Sequence, residues 1–237
     1  MAIGKDIMDL ENIICYKFAD ISYLEAALTH ASYTNEQRAR GISVQSNERL
    51  EFLGDAVLQI VISEYLYSNF KRYREGALTK MRQQLVCERT LAKIAKQLGI
   101  GEFLNVGHGE ELTGCRERPK VLADALEALI GAIYLDAIES GRSSEYRDVV
   151  MKLFIAEIEH SSEKADYKTM LQQLAEQDGT VQLEYRIIDT DGPEHNKMFT
   201  VAAYINNNEV GRGHAKTKKN AEMQAAKIAL KLFGVNV

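Results

Sequence analysis

The chain has 237 residues, 46% of them hydrophobic, and a formal net charge of −5. This composition suffices for one large or two modest domains, and the charge taken alone argues against nucleic acid, although local basic patches can override it. The three cysteines are widely spaced without a Cys-x-x-Cys pair, which argues against a disulfide framework and a zinc site. The start of the chain lacks the apolar core of a signal peptide, and no apolar run approaches the roughly 20 residues of a membrane span. We therefore expect a cytoplasmic protein without a membrane partner.

The region from residue 7 to about residue 158 shows apolar residues at helical spacing, with glycine-containing breaks between segments. This pattern predicts an all-α region. Residues 24–33 are predicted to form one short helix that leads into a polar loop, and His30 is expected to pack or to cap a helix rather than to act as a base. Ser46 or Asn47 is expected to cap the next helix with a side-chain oxygen.

The run 47–62 places acidic side chains inside an otherwise apolar helical pattern. A helix that is apolar on most of its sides is expected to be buried. At about 100° per residue, Glu48, Glu51 and Asp55 share one edge of this helix. Because unpaired carboxylates in a dry interior are costly, such an edge requires a cation opposite it.

A second apolar run, 121–135, carries Asp124 and Glu127 three residues apart, so both acids point the same way. The sequence therefore predicts two facing acidic helices. A metal ion could supply the opposing positive charge. The alternative is that the acids pair with arginines such as Arg49 or Arg82.

Glycine and proline mark how these two helices begin and pack. Pro119 lies just before the second helix and fits the start of that element. Gly54 and Gly131 each cost a helix about 1 kcal/mol relative to alanine. They therefore indicate close packing of the two helices or room for a ligand.

The chain loses its apolar periodicity at residues 161–165, where we place a linker between a first domain, 1–160, and a second, 166–235. The pattern then changes to an α-β-β-β-α order. The predicted elements are a helix at 167–177, strand-like runs at 183–188, 198–205 and 208–213, and a helix from about 218 to 233.

Residues 48–55, Glu-Arg-Leu-Glu-Phe-Leu-Gly-Asp, resemble the signature motif of bacterial ribonuclease III, and residues 122–128 resemble its second acidic motif. The α-β-β-β-α order resembles a double-stranded-RNA-binding domain. The resemblance covers nearly the whole chain. It implies an all-α endonuclease domain followed by a small α+β double-stranded-RNA-binding domain.

The resemblance implies an enzyme that hydrolyses phosphodiester bonds in double-stranded RNA during processing of rRNA and mRNA precursors. The products would carry 5′-phosphate and 3′-hydroxyl ends with short 3′ overhangs. By the family motif, Glu51, Asp124 and Glu127 would hold the metal, Asp55 would orient water or a further ligand, and Asp55 and Glu127 would be catalytic. Glu48 matches an accessory acid. The expected cofactor is Mg²⁺, with Mn²⁺ as a substitute, and no nucleotide cofactor is expected.

The family resemblance also implies a homodimer, because one acidic cluster per chain cuts one strand of a duplex. Phe52 matches the aromatic residue that in relatives inserts into a socket on the partner subunit, although core packing explains a single phenylalanine equally well. RNA contacts are expected from the first helix of the small domain, from its 191–197 turn, and from the lysines that begin its last helix. The predicted RNA-binding residues are Thr169, Gln172, Glu176, His195, Lys218 and Lys219.

Two other functions fit parts of the pattern. The first is a non-catalytic double-stranded-RNA-binding accessory protein, against which the complete set of acids argues. The second is a carboxylate-bridged di-iron protein, which usually requires Glu-x-x-His. Glu51 is followed by Gly54 and Glu127 by Ile130 at that spacing, which argues against di-iron chemistry.

Overall fold

A computed structural model of the chain describes residues 7–71, 73–163, 167–177, 182–193 and 197–235. The chain divides into two compact units, Met1–Glu163 and Lys164–Val237. The first is helical and the second combines a sheet with helices, which confirms the predicted fold class. Within the described ranges, no helix has the length and apolar character needed to cross a membrane.

The larger unit contains ten α-helices within its described residues. They are α1 (Ile7–Ile14), α2 (Ile21–Ala27), α3 (Ala31–Ala39), α4 (Glu48–Asn69), α5 (Glu75–Leu85), α6 (Glu88–Gln97), α7 (Ile100–Phe103), α8 (His108–Leu112), α9 (Pro119–Glu139) and α10 (Glu145–Glu163). Pro119 is the first residue of α9, as predicted. The predicted linker begins within α10, which continues to Glu163, and residues 164 and 165 lie outside the described ranges.

Helices α4 and α9 form the centre of the larger unit, and α9 also packs against α2, α6 and α10. Their backbones meet at two glycines. A Cβ atom on Gly54 would lie 1.7 Å from the carbonyl oxygen of Glu127, and one on Gly131 would lie 2.3 Å from that of Leu50. No side chain fits at either position without separating the helices. This contact confirms the predicted close packing and brings the acidic edges of α4 and α9 together.

The predicted single helix at 24–33 is wrong, because α2 ends at Ala27 and α3 begins at Ala31. Between them, Thr29 pairs with Asn105 as an isolated β-bridge, and its carbonyl oxygen accepts a hydrogen bond from the Asn47 backbone N–H at 2.9 Å. These tertiary hydrogen bonds replace the local helical ones. His30 then caps α3, as predicted, with Nδ1 accepting from the backbone N–H of Ser32.

The predicted side-chain cap of α4 is also wrong. Asn47 occupies the cap position in a helical backbone conformation, and its side chain makes no capping hydrogen bond. The Ser46 hydroxyl instead donates to the Glu48 carboxylate at 2.8 Å. Asn47 is buried and is held by its backbone contact to Thr29, so tertiary structure rather than a local cap positions the start of α4.

The apolar pattern of α4 predicts a helix that is buried on most of its sides, but one apolar side of α4 is exposed. Phe52 is 80% exposed, Ile60 59% and Tyr67 77%. Together with exposed Ala56, these residues recur at helical spacing and form an apolar stripe along one side of the helix. Helical periodicity detects apolar faces but does not distinguish a face in the core from one that is exposed.

The smaller unit has the predicted α-β-β-β-α order. Its elements are α11 (Tyr167–Gln177), β1 (Leu183–Asp191), β2 (Met198–Ile205), β3 (Asn208–Ala215) and α12 (Lys218–Leu232). The strands form an antiparallel sheet in the order β1-β2-β3. A Cβ atom on Gly211 or Gly213 would lie 2.3 or 2.1 Å from a carbonyl oxygen of α12, so glycine allows β3 to contact that helix closely.

Candidate active site

Three carboxylates from α4 and α9 come together where the two backbones meet. One oxygen each from Glu51, Asp124 and Glu127 lie within 4.8 Å of one another. All three residues are partly buried. We call this set the acidic cluster. Its members are drawn from both predicted acidic motifs, and the packing at Gly54 brings the motifs together.

Burial and mutual repulsion disfavour the negative charges of the acidic cluster. Burial raises the pKa of Glu127 to about 7, and the charges of Asp55, Glu51 and Asp124 add to that effect. Burial and the charge of Asp124 likewise raise the pKa of Glu51. Both shifts mean that the negative forms are disfavoured relative to water. A cation in the cluster would relieve this repulsion.

The ammonium group of Lys120 contacts the acidic cluster. Lys120 Nζ donates to Asp124 Oδ2 at 2.8 Å, and its charge offsets part of the rise that burial causes in the pKa of Glu51 and of Glu127. The Lys120 side chain is 71% exposed, so water screens much of its charge. Lys120 was not predicted as a site residue, although its position four residues before Asp124 was an available signal in the sequence. The predicted alternative partner Arg82 instead donates to the Ser63 hydroxyl at 3.0 Å.

The other two predicted acids lie beside the acidic cluster. Gln59 Nε2 donates to both carboxylate oxygens of Asp55 at 3.0 Å, which orients that side chain from one turn further along α4. Asp55 still acts on the pKa of Glu127 through its charge. Glu48 is exposed and accepts from Ser46 at the start of α4. Gln59, like Lys120, was not predicted as a site residue.

The acidic cluster has the donor set of a hard divalent cation. In the described part of the chain, the group of residues that could hold a metal ion consists of carboxylates alone. Mg²⁺ and Mn²⁺ prefer such oxygen ligands, whereas the Glu-x-x-His pattern of di-iron proteins would add imidazole. The residues therefore fit a magnesium-type ion.

A cavity of about 860 Å³ opens between the end of α4 and α5. Its lining includes Ser63, Leu66, Tyr67, Phe70, Leu78 and Arg82. A smaller cavity of about 380 Å³ shares Ser63 and Arg82 with it and reaches Asp55 and Gln59. The two cavities thus lie next to each other along α4, and their linings include Tyr67 and Ile60 of the apolar stripe as well as Asp55 beside the acidic cluster.

The predicted RNA-binding residues of the smaller unit are described in part. Lys218 and Lys219 are exposed in the first turn of α12, where the Thr217 hydroxyl caps the helix by accepting from the backbone N–H of Asn220 at 3.2 Å. On α11, Gln172 Nε2 donates to Glu176 Oε1 at 2.8 Å. The side chain of Thr169 and the whole of His195 lie outside the described part of the chain.

Comparisons with known proteins cover both units. Residues 20–158 match the family described as Ribonuclease-III-like, and residues 167–232 match the double-stranded RNA binding motif. Ribonuclease 3 of Clostridium tetani is 45% identical over 234 residues, which cover 98% of this chain and 96% of the relative. Ribonuclease 3 of Oceanobacillus iheyensis is 45% identical over 226 residues, 95% of this chain and 97% of that protein.

A solved structure resembles the larger unit. The nuclease domain of ribonuclease III from Campylobacter jejuni, described with structural flexibility in a region involved in dimer formation, aligns with a TM-score of 0.56 and 42% identity. The alignment covers 63% of this chain and 96% of that domain. The sequence and structure comparisons therefore agree on the larger unit.

Proposed function

The chain belongs to the ribonuclease III family, and we propose that it is a divalent-metal-dependent endoribonuclease that hydrolyses double-stranded RNA. The observation that carries this proposal is the acidic cluster, which combines the acids of both motifs in one partly buried site. The match of the smaller unit to a double-stranded RNA binding motif supports the choice of substrate.

The acidic cluster would hold Mg²⁺, or Mn²⁺ in its place, through Glu51, Asp124 and Glu127. When bound, such an ion supplies a more acidic water and offsets negative charge at the reacting phosphate. Asp55, whose carboxylate accepts two hydrogen bonds from Gln59, would orient the attacking water. Burial and the neighbouring negative charges raise the pKa of Glu127 to about 7. A cation held by the acidic cluster would offset those negative charges and so favour the carboxylate form of Glu127.

The proposed reaction breaks the bond between phosphorus and the 3′ oxygen. A water oxygen bonds to phosphorus, one of its protons is removed, and the 3′ oxygen leaves and takes up a proton. The products carry 5′-phosphate and 3′-hydroxyl ends. Cleavage of both strands by two clusters across a duplex would leave the short 3′ overhangs.

We propose that the active form is a homodimer built on α4. Phe52 lies near the start of α4 and is 80% exposed, which argues against the alternative that it packs in the core. The cavity of about 860 Å³ lies at the other end of the same helix. In a two-fold dimer, a contact from a surface of one copy to a surface of the other is repeated in the reverse direction. Antiparallel pairing of two α4 helices would insert Phe52 of each copy into the cavity of the other and cover the apolar stripe.

The smaller unit would bind the duplex by shape and by charge. Lys218 and Lys219 are exposed at the amino end of α12, where the helix dipole adds to their attraction for phosphate. Thr169, Gln172 and Glu176 on α11 would contact ribose hydroxyls in one minor groove, and His195 would contact the next minor groove. Duplex regions of rRNA and mRNA precursors in the cytoplasm are the proposed natural substrates.

The direct test is cleavage of a long perfect RNA duplex with Mg²⁺, Mn²⁺ or EDTA, for the wild type and for Glu127→Gln. We expect short duplexes with 5′-phosphates and 3′ overhangs from the wild type with metal, and at least a 100-fold slower reaction from Glu127→Gln, since it loses a proposed metal ligand. Binding without cleavage under either metal would instead favour a double-stranded-RNA-binding accessory protein.

A further inference from the structure

An ion pair connects α11 and α12 of the smaller unit. Lys168 Nζ donates to Glu222 Oε2 at 2.7 Å. The Glu222 side chain is 13% exposed and that of Lys168 is 36% exposed. The ammonium also lies 4.6 Å from the centre of the Tyr185 ring. The carboxylate is thus largely shielded from water, while the ammonium can be reached from outside.

The ion pair joins the two helices whose side chains we propose to contact RNA. Lys168 is one helical turn before Gln172 in α11, and Glu222 is one turn after Lys218 in α12. Residues four apart lie on the same side of a helix. Both partners therefore belong to surfaces that would face a bound duplex.

We infer that Glu222 competes with RNA phosphates for Lys168 and thereby lowers the affinity of the smaller unit for double-stranded RNA. This inference rests on the proposed function. Carboxylate and phosphate oxygens accept from the same ammonium donors. Lysine has a flexible four-carbon stem, so Lys168 can exchange one acceptor for the other without moving the helix. A duplex that approaches this surface must displace Glu222 and also meets its negative charge.

The test measures binding of the full-length chain to a perfect RNA duplex of about 20 base pairs, longer than the roughly 16 that such a domain spans. EDTA prevents cleavage, and the affinity is measured over a series of salt concentrations. We expect Glu222→Gln to bind about threefold to fivefold more tightly, as for one added exposed ion pair. The slope of log affinity against the logarithm of the salt concentration should become more negative by about one, as for one added phosphate contact.

Two further variants separate release of Lys168 from simple loss of a negative charge. In Glu222→Gln combined with Lys168→Gln, the gain in affinity and in salt slope should disappear. Glu209→Gln is the matched control. It also removes a paired acid, since Glu209 pairs with Arg212 at 2.9 Å, but β3 carries none of the proposed RNA contacts. This variant should leave the affinity and the salt slope unchanged. Thermal unfolding checks that each variant is folded, and Glu222→Ala serves as a second variant if the glutamine variant is not.

Several outcomes would overturn the inference. In the first, the affinity and salt slope of Glu222→Gln equal those of the wild type. In the second, the double variant binds as tightly as Glu222→Gln, which would show that Lys168 does not contribute to the gain in affinity. Either result would leave the proposed function intact, since the wild type still binds. A wild type that binds no duplex at any salt concentration would overturn the proposed function and this inference with it.

Discussion

The acidic cluster of the larger unit and the lysines of the smaller unit hold their charges in different ways. Glu51, Asp124 and Glu127 are partly buried and come from two helices, and burial together with the neighbouring negative charges raises the pKa of Glu51 and of Glu127. Lys218 and Lys219 are exposed in one helical turn. Charges in a low-dielectric site act strongly and together, whereas exposed charges are screened by water and salt. Substitutions at the acidic cluster should therefore have large, coupled effects, and substitutions of the lysines should have small, separate ones.

The largest effect that we expect comes from separating the two helices that carry the acidic cluster. In Gly54→Ala the new methyl group meets the Glu127 carbonyl oxygen, because a Cβ there would lie 1.7 Å from it. We expect a loss of about 3 kcal/mol or more in the free energy of unfolding, measured with denaturant. The rate of RNA cleavage should also fall, because the carboxylates of the acidic cluster would move apart.

Gly76→Ala is the matched control for this substitution. Gly76 lies in the first turn of α5, and a Cβ there would have no heavy atom within 4 Å. Alanine should leave stability unchanged or raise it by about 0.5 to 1 kcal/mol. Equal stabilities for the Gly54→Ala variant and the wild type would show that α4 and α9 are not held together at this point.

The next effect concerns pH, because Glu127 has a pKa of about 7 instead of the usual 4.5. Below pH 7 a metal ion must displace this proton, so Mn²⁺ affinity should rise roughly tenfold for each pH unit between pH 5 and 7 and level off above it. Isothermal titration of the wild type measures this slope. A Glu127→Gln variant should show a flatter dependence, and equal slopes would assign the proton to another group.

When no metal is bound, the same pKa shift makes the folded chain less stable as the pH rises. Between about pH 4.5 and 7 the folded chain keeps the Glu127 proton, which the unfolded chain has already released. Stability in EDTA should therefore fall as pH rises through this window, because the folded state binds more protons. The decrease should be smaller for Glu127→Gln, and denaturant unfolding at pH 5 and pH 7.5 measures the difference. A decrease of the same size in both proteins would contradict this origin.

A smaller effect is expected at the apolar stripe of α4. Phe52→Ala should raise the dissociation constant of the proposed dimer about 30-fold, as for an aromatic side chain that fills a pocket in an interface. Sedimentation equilibrium measures it. Leu112→Ala is the control, because Leu112 is 75% exposed on α8 and not on α4. An unchanged mass distribution for Phe52→Ala would remove this residue from the interface.

The smallest effect is expected from the lysines. Lys219→Gln should weaken duplex binding about threefold and reduce the salt slope by about one, since an exposed lysine contributes one phosphate contact. Binding in EDTA at several salt concentrations measures both quantities. Lys231→Gln, in the last turn of the same helix, should change neither. A loss of all binding from Lys219→Gln would show that these lysines act together, as the acids do.

The amino-acid sequence determined that the first unit is helical, that the second has α-β-β-β-α order, and which acids form the acidic cluster. Apolar periodicity identified α4, α9 and the α-β-β-β-α order, and the spacing of acids placed Glu51 on one helix and Asp124 and Glu127 on another. Gly54 and Gly131 already indicated close packing. These features are local, because side-chain direction in a helix or strand follows from residue spacing.

The tertiary structure decided which surfaces meet and which stay exposed. The break between α2 and α3 depends on hydrogen bonds of Thr29 to residues far along the chain, and the exposure of Phe52 depends on which helices cover the rest of α4. The Lys168–Glu222 pair likewise joins two residues that are 54 positions apart in the sequence. Periodicity fixes the direction of a side chain relative to its own helix, but its partners are set by the packing of all the helices and strands around it.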